Sequence, residues 1–433
     1  MKKNILFLLF VLLLVSCSST TKVELRKYNL ADTSTTIEEY KFSNFVSAFR
    51  FLRPEIADSF ATTESQKKAA EGLKCVTLNK LENAADIFCE ALKEKDSMEA
   101  LWGFFPNAYH SCISYNWDKL QKCIEIREGN GKEVKGHSSP SFYKDKPNFN
   151  IDFKKDSVVI PIKFSRGLPL VKIKINEKYY YFLIDTGVNK TLIGKNIVTS
   201  NDILYDNEER TVTAIDGKVT VYSGFLPELD LGDIKISNFP VDVVNRNDAF
   251  KVTELFFITT FRCDGVIGWD LLQRFDFTID YKNKQLTLRK PVEKNIQQKN
   301  LFWYEIPIVK FYSENNYPII FFFDTGSNLT SFATETLSRV GLADTNNLKK
   351  RTVTFYGVGG NKVKQNKYNY PNFQCYTLSD NEMTLLSVDK AVLQDMEKIS
   401  TSAIYVDGVL GSDLFKGKAI RVDMKNGLFE IYE

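Results

Sequence analysis

Two stretches of the sequence share one pattern, an apolar strand that leads into Asp-Thr-Gly. They are Tyr181-Phe-Leu-Ile-Asp-Thr-Gly187 and Phe321-Phe-Phe-Asp-Thr-Gly-Ser327. The residues before each acid are aromatic or apolar, as in buried strands. A carboxylate at the end of a buried strand is costly unless it is hydrogen-bonded or neutral. The Thr hydroxyl can supply a hydrogen bond, and the Gly lets the backbone approach the acid.

Two more pairs of matching segments follow these stretches. Asp264-Gly-Val-Ile-Gly268 corresponds to Asp407-Gly-Val-Leu-Gly411, and Phe277-Thr-Ile-Asp280 corresponds to Ile420-Arg-Val-Asp423. The first pair begins 79 and 83 residues after the respective Asp-Thr-Gly acid, and the last Asp of the second pair lies 95 and 99 residues after it. Both distances grow by the same 4 residues, which one insertion before the Asp-Gly segment explains. The chain therefore contains two copies of one unit.

Both copies are predicted to be β-rich, over residues 152–292 and 300–433. Runs such as Ser157–Phe164 and Leu170–Ile175 consist largely of β-forming residues, and long helical patterns are few. With 433 residues, 43% hydrophobic and 13% aromatic, the chain can form buried cores in two or three domains. Two copies in one chain suggest that the copies meet face to face, which would bring the two Asp-Thr-Gly acids together.

Charge and histidine content exclude several classes of function. The chain has 57 basic and 54 acidic residues, a net charge of +3, which gives no cationic field for binding nucleic acid. The two histidines, His110 and His137, do not form the paired spacing of zinc hydrolases and lie beside no nucleophile signature. Any hydrolytic chemistry is therefore expected to rest on carboxylates.

Two adjacent carboxyl groups can catalyse hydrolysis without a cofactor or a metal. Carboxyl groups about 3 Å apart cannot both ionise cheaply, so they share one proton. The ionised group can take a proton from water while the protonated group donates one to a substrate carbonyl. Asp185 and Asp324 are the candidates for this pair.

These motifs resemble the aspartic protease superfamily in its bacterial retropepsin-like form. The resemblance rests on the two Asp-Thr-Gly triplets and on Val266-Ile-Gly268 and Val409-Leu-Gly411, and it covers residues 155–433. It implies two mostly β lobes related by a pseudo-two-fold axis, a cleft between them, and Asp185 and Asp324 as the catalytic pair. The supporting active-site loop residues that it implies are Thr186, Gly187, Thr325, Gly326 and Ser327.

The two Asp-Thr-Gly loops differ at the next residue. The first triplet is followed by Val188, and the second is followed by Ser327. The family often has Ser, Thr or Ala at this place, and Val removes one hydroxyl partner of the acids. The two acids are therefore expected to be unequally supported.

Each copy also contains a hairpin signal downstream of its acid. Strand residues flank Asp216-Gly217 in the first copy and a glycine-rich turn, Gly357, Gly359 and Gly360, in the second. One interpretation is the flap that closes over bound peptide in the family, with the second hairpin as the better candidate. The other interpretation is an ordinary surface hairpin.

The N-terminus has the layout of a secretory signal. Lys2 and Lys3 precede an 11-residue apolar run, which is too short for a transmembrane helix. The run ends at Leu14-Val-Ser-Cys17, which resembles the lipobox of bacterial lipoproteins; the alternative is an ordinary signal peptide with an incidental Cys. The lipoprotein interpretation predicts a signal peptide at 1–16, an acylated Cys17 that anchors the chain in a lipid bilayer, and a tether over 17–35.

An anchored chain of this kind is expected in the cell envelope of a Gram-negative-type bacterium, facing the periplasm or at the outer membrane. An exported chain could also pair its remaining cysteines. A bridge between Cys75 and Cys89 is one alternative, and buried free thiols are the other.

Residues 36–128 are predicted to form an α-helical domain, followed by a linker over 129–151. Apolar residues between Gln66 and Lys95 recur at helical spacing, and Gly72, Ala84, Phe88 and Ala91 resemble the small and aromatic positions of one tetratricopeptide repeat. The alternative is an ordinary helical domain. Either one would give support or contact a protein partner. The full fold prediction is thus multidomain, helical and then β-rich.

The leading functional hypothesis is a membrane-anchored aspartic endopeptidase that holds an extended peptide or protein substrate by strand-like hydrogen bonds. The alternative is a catalytically inactive lipoprotein of the same fold that only binds peptide. A monomer with an intramolecular pair of acids is favoured over an obligate dimer, because the segment between the copies, 292–300, is short.

Overall fold

The computed structural model is mostly β, with helices concentrated in the N-terminal part, in agreement with the predicted fold class. The structure describes residues 22–29, 41–91, 98–128, 140–214, 217–244, 250–254, 258–340, 348, 350–356, 362–394, 401 and 403–433.

The helices before residue 144 pack on one another and on both β units. They are α1 (Phe45–Arg50), α2 (Pro54–Ser59), α3 (Glu64–Thr77), α4 (Leu81–Ala91), α5 (Met98–Ile113), α6 (Trp117–Glu128) and α7 (Pro140–Tyr143). Later helices are short: α8 (Lys195–Ser200), α9 (Trp269–Leu272), α10 (Thr334–Arg339) and a 3₁₀ helix at Ser412–Phe415.

Helices α3 and α4 approach each other closely at Gly72. A Cβ atom on Gly72 would lie 2.5 Å from the ring of Phe88, so only glycine fits there. The apolar spacing of α3 turns Ala69, Leu73 and Val76 into the core. The close approach that the sequence predicts is present, and it is common to both alternatives, a tetratricopeptide-like unit and an ordinary helical domain.

The strands of the first copy and of the segments before it are β1 (Val23–Asn29), β2 (Asn150–Phe153), β3 (Ser157–Ser165), β4 (Leu168–Ile175), β5 (Lys178–Ile184), β6 (Leu192–Gly194), β7 (Leu204–Tyr205), β8 (Arg210–Ala214), β9 (Gly217–Leu231), β10 (Ile234–Val244), β11 (Lys251–Glu254), β12 (Ile258–Arg262), β13 (Gly265–Ile267), β14 (Asp276–Asp280) and β15 (Gln285–Arg289). Those of the second copy are β16 (Leu301–Tyr304), β17 (Ile306–Ser313), β18 (Pro318–Phe323), β19 (Ser331–Ala333), β20 (Lys350–Tyr356), β21 (Lys362–Ser379), β22 (Glu382–Gln394), β23 (Gly408–Leu410), β24 (Ala419–Asp423) and β25 (Leu428–Tyr432).

These strands form two large sheets and one small one. The larger has the order β25-β24-β14-β15-β3-β4-β5-β13-β6-β10-β9-β7, with β2 on β10 and β8 on β9. The second has the order β1-β22-β19-β23-β18-β17-β21-β20, with β16 on β17, and β11 pairs with β12. The larger sheet therefore includes β24 and β25, although both belong to the second copy.

The two copies meet in antiparallel register where β14 pairs with β24. Phe277 lies opposite Val422, and Ile279 lies opposite Ile420. Ile420 is the counterpart of Phe277 in the repeat, so each copy contributes the same positions to the contact. The pairing is thus reciprocal about its central residues, as in a two-fold interface.

The apolar-apolar-Gly segments of both copies lie beside the strand that carries the acid. In the first copy β13 runs parallel to β5, and in the second β23 runs parallel to β18. The Asp185 N–H donates to Ile267 O at 3.0 Å, and the Asp324 N–H donates to Leu410 O at 3.1 Å. The two copies that were identified in the sequence therefore make the same backbone contacts beside their acids.

Parts of the predicted tether and linker are ordered structure. Residues 22–29 of the tether contain β1, which pairs along its whole length with β22. Val23 and Leu25 pack against the core, which gives this strand a buried face. In the linker over 129–151, residues 140–143 form α7 with a buried Tyr143, so the prediction of a plain linker is wrong for that part.

The remaining N-terminal predictions lie largely outside the described residues. Met1 to Thr21, including Cys17, are among those that the structure does not describe. Within the described residues, no helix is both long enough and apolar enough to cross a membrane. The thiols of Cys75 and Cys89 are free, so the predicted alternative of a bridge between them is wrong.

Candidate active site

The Asp-Thr-Gly loops follow directly from the ends of β5 and β18. Ile184 and Phe323, the last residues of these strands, have no exposed surface, so each acid is delivered to the interior. Asp185 is 6% exposed, and Asp324 is half-buried. The apolar runs that were used to predict these strands thus place both acids at the contact between the copies.

The two threonines hold the loops together by reciprocal hydrogen bonds. The Thr186 hydroxyl donates to Phe323 O at 2.8 Å and accepts from the Thr325 N–H at 3.0 Å. The Thr325 hydroxyl donates to Ile184 O at 2.8 Å and accepts from the Thr186 N–H at 3.1 Å. Each threonine hydroxyl is therefore bonded both to the other Asp-Thr-Gly loop and to the end of the strand that precedes that loop. Both threonines are buried, and the hydroxyl and N–H group of each have a hydrogen-bond partner.

The two carboxyl groups are hydrogen-bonded to each other. The Gly187 N–H donates to Asp185 Oδ1 at 2.8 Å, and the Gly326 N–H donates to Asp324 Oδ1 at 2.9 Å. A Cβ atom on Gly187 would lie 2.7 Å from Asp324 Cγ, and one on Gly326 would collide with the Asp185 carboxyl. The glycines are therefore required because each acid occupies the space beside the opposite loop.

Burial and proximity raise the pKa values of both acids. Burial raises the pKa of Asp185 well above its ordinary value, and the neighbouring Asp324 raises it further. Burial also raises the pKa of Asp324, but the hydrogen bond from Asp185 and the N–H groups of Gly326 and Ser327 oppose that rise. The N–H groups of Gly187 and Val188 oppose the rise at Asp185 in the same way. The two acids are therefore coupled and share one proton.

The loops differ in the way that the sequence indicates. In the second loop, the Ser327 N–H donates to Asp324 Oδ1 at 3.1 Å, and the Ser327 hydroxyl donates to Leu329 O at 3.0 Å. Val188 has no hydroxyl with which to make the corresponding bond within the first loop. The Val188 N–H is also a hydrogen-bond donor to Asp185. The loops thus differ in their internal bonds, and the predicted inequality in the support of the two acids stays a prediction.

The other repeated acids hold the loops. The Thr191 N–H and hydroxyl both donate to Asp270 Oδ1, at 2.9 and 2.8 Å. The Thr330 N–H and hydroxyl donate in the same way to Asp413 Oδ1, at 2.6 and 2.7 Å. The N-cap of α9 is Gly268, and Asp270 lies in the first turn of this helix.

Asp264 and Asp407 are also equivalent in the structure. The Tyr181 N–H donates to Asp264 Oδ2 at 2.9 Å, and the Ile320 N–H donates to Asp407 Oδ2 at 2.8 Å. Each donor lies four residues before the acid of its Asp-Thr-Gly. Arg339 on α10 also donates to Asp407, so the second copy has a buried ion pair here.

Both hairpins that were considered as flaps are present in part. Strand β8 pairs with β9 up to Ala214 and Gly217, and β20 pairs with β21 up to Tyr356 and Lys362. The turn of the second hairpin, with Gly357, Gly359 and Gly360, lies outside the described residues. The geometry assigns no flap role to either one.

Sequence reasoning missed the threonines that clamp the loops to the later acids. Thr191 and Thr330 each lie six residues after an Asp-Thr-Gly acid. Their equal spacing was a signal that could have identified them. Among the described residues, no group of three or more His, Cys, Asp or Glu side chains is placed to hold a metal ion.

Comparison with known proteins finds a similarity in the first copy. Residues 171–271 match the family model described as aspartyl protease. The matched segment contains the first Asp-Thr-Gly and β13, and it supports a relationship to the aspartic protease family. The second Asp-Thr-Gly lies outside the matched residues, and a search of curated proteins finds no match.

Among solved structures, the chain is similar to the crystal structure of the aspartic proteinase from Irpex lacteus. The two share 13% sequence identity with a TM-score of 0.37, over 64% of this chain and 97% of that chain.

The raised pKa of Asp185 predicts a pH-dependent contribution to stability. An acid whose pKa is raised by folding binds its proton more tightly in the folded chain. The stability that this acid contributes to the folded chain is fully present below the ordinary Asp pKa of about 3.9. It is lost as the pH rises through the raised pKa. We expect Asp185→Asn to gain stability relative to the unmodified chain as the pH rises, by up to about 1.4 kcal/mol per pH unit.

Urea unfolding of both proteins between about pH 4 and pH 8 measures this difference. Asp280→Asn, at the end of β14, is the matched control and should follow the unmodified chain. Parallel stability curves for Asp185→Asn and the unmodified chain would contradict the raised pKa.

Proposed function

We propose that this protein is an aspartic endopeptidase that hydrolyses peptide bonds with a water held between Asp185 and Asp324. The observation that carries the proposal is the hydrogen-bonded pair of carboxyls, buried at the contact between two equivalent loops. Two acids in equivalent positions with their proton on one of them meet the requirement for combined acid and base catalysis.

In this proposal the two acids have different roles. Asp324, as the ionised acid of the pair, accepts a proton from the attacking water, and the oxygen of that water bonds to the carbonyl carbon. Asp185 donates its proton to the carbonyl oxygen, which gives a neutral tetrahedral intermediate. Asp324 then gives its proton to the amine nitrogen while Asp185 takes one from a hydroxyl of the intermediate. The carbon–nitrogen bond breaks, the acid and the amine leave, and the pair returns to its singly protonated state.

The reciprocal threonine bonds supply the preorganisation that this chemistry needs. They fix the two loops relative to each other with no ionisable group involved, so the carboxyls stay in place through proton transfer. An extended substrate would lie across the loops between two lobes, under the β8–β9 and β20–β21 hairpins as flaps. In this proposal the two lobes are the two repeat copies, in one monomeric chain.

We further propose that the enzyme is a lipoprotein of the cell envelope, anchored by acylated Cys17. Support comes from the order of the basic residues, the apolar run and the Cys in the sequence. The helical region would then recruit a protein partner or support the protease units.

The test is incubation of the purified chain from residue 22 onward with a denatured protein, followed by mass spectrometry of the products. We expect internal cleavage, with a rate that falls at high pH as Asp185 loses its proton and at low pH as Asp324 gains one. Peptide binding without cleavage at any pH would favour the alternative, a binding protein of the same fold.

A further inference from the structure

The first Asp-Thr-Gly loop carries a buried lysine that its counterpart lacks. Lys190 lies five residues after Asp185 and is 8% exposed. The equivalent position in the second copy is Leu329. A buried ammonium group is costly unless other groups compensate for its lost hydration, so its surroundings carry information about its role.

The Lys190 ammonium group lies among three aromatic rings from the helical region. Its Nζ is 5.1 Å from the ring centre of Tyr115, 5.3 Å from that of Trp117 and 5.7 Å from that of Tyr143. Trp117 and Tyr143 stack on each other with ring centres 4.2 Å apart. Aromatic faces attract a desolvated cation, so these rings, which we call the lysine cage, form a specific contact.

The lysine cage is itself fixed to the β units and to the helices. Tyr143 on α7 donates its hydroxyl proton to the backbone carbonyl of Gly224 or Val241, at 3.2 and 3.3 Å. The Lys190 Nζ also approaches Pro240 O at 3.4 Å. The cage therefore joins α6 and α7 to the residues that follow Asp185.

A second cation strengthens the same connection. Arg274, just after α9, donates to Ile113 O at the end of α5 at 2.9 Å and lies 5.1 Å from the ring centre of Tyr115. Its counterpart in the second copy is Gly417. The positions of Lys190 and Arg274 hold no cation in the second copy, which contacts the helical region elsewhere, as with Arg339, 4.5 Å from the ring centre of Phe51.

The two Asp-Thr-Gly loops are therefore held in place by different contacts. The Ser327 hydroxyl bonds to the backbone of Leu329 and closes the second loop on itself. Val188 cannot do so in the first loop, and there Lys190 in its cage and Asn189, which donates to Glu305 O at 2.6 Å, make the contacts instead. The first loop, which lacks the serine hydroxyl of the second, is thus held by contacts to other parts of the chain.

We propose that Lys190 is a positioning residue, through which the helical region holds the Asp185 loop in its active geometry. The proposal rests on the proposed function, since it concerns the acid pair of that site. The helical region then contributes to catalysis by holding this loop, and it does not serve only as a spacer or as a surface that recruits a partner.

The experiment compares Lys190→Met and Trp117→Leu with a matched control, Lys195→Met. Lys195 on α8 also lies over aromatic rings, 4.9 Å from the centre of Tyr222, but it does not contact either loop. Hydrogen exchange of the peptide 182–193 and steady-state hydrolysis of one peptide are measured for each variant. Lys190→Arg, which keeps the cation, tests for rescue.

We expect faster exchange of the loop amides in Lys190→Met and in Trp117→Leu, by about tenfold or more. The kcat should fall by about 10- to 100-fold with a much smaller change in KM, because the loop is displaced and substrate contacts are kept. Lys195→Met should match the unmodified chain, and Lys190→Arg should restore most of kcat.

Unchanged loop exchange in Lys190→Met and Trp117→Leu would overturn the proposal, and so would equal losses in Lys190→Met and Lys195→Met. If Lys190→Met does not fold, Trp117→Leu and Lys190→Arg test the same contact. If the unmodified chain hydrolyses no peptide, the proposed function fails, and the exchange comparison still decides whether the helical region holds the loop.

Discussion

Asp185→Asn and Asp324→Asn are each expected to reduce peptide hydrolysis by about 10²- to 10⁴-fold or more while the chain stays folded. An Asn at either position keeps the shape of the side chain and can still hydrogen-bond to the remaining acid. It cannot move a proton between water and substrate. The change therefore removes the chemistry and leaves the reciprocal threonine bonds of the loops in place.

Initial rates on a single peptide, with circular dichroism and thermal unfolding of the same samples, measure this effect. Asp280→Asn is the matched control, since it makes the same chemical change at a repeated acid outside the site. Hydrolysis that survives in both Asp185→Asn and Asp324→Asn would show that another group performs the reaction. Loss in one variant alone would show that the acids do not act as a pair.

Gly187→Ala is expected to abolish most activity through a single added methyl group. Its Cβ would lie 2.7 Å from Asp324 Cγ, where the carboxyl must move to make room. A displacement of about 1 Å in the reacting groups can cost about 100-fold in rate. The overpacking should also lower the free energy of unfolding by about 1–3 kcal/mol. Gly326→Ala makes the same change beside Asp185 and should behave alike.

Gly72→Ala separates the effect on the site from the effect on stability. A Cβ atom there would lie 2.5 Å from the Phe88 ring between α3 and α4, a similar clash without contact to either acid. We expect it to lose stability to a similar degree and to keep its rate per folded molecule. If Gly187→Ala also keeps its rate per folded molecule, the spacing of the carboxyls does not limit catalysis.

The repeat and the meeting of its two acids could be predicted because they depend on short motifs with equal spacing. Apolar runs identify β5 and β18, and the triplets identify the loops that follow them. Asp280, the last residue of β14, accepts from the Asn283 N–H in the turn that follows. Each of these features is decided by residues that are close together in the sequence.

Features that depend on distant partners could not be predicted. Nothing in the sequence near Lys190 indicates that Trp117 and Tyr143 surround it, because a lone lysine most often lies in solvent. The strand at Val23–Asn29 was treated as tether, since its partner β22 lies more than 350 residues away. The role of Asp270 was missed for a similar reason: its partner, Thr191, lies 79 residues before it.

The pairing of β14 with β24 has a consequence for the order of events during synthesis. The ribosome makes β14 long before β24, so in a nascent chain that ends before residue 419 the β14 edge of the larger sheet is unpaired. Unpaired strand edges favour aggregation, and a chaperone would be most needed in this interval. Translation thus delays completion of the larger sheet until the second copy has been made.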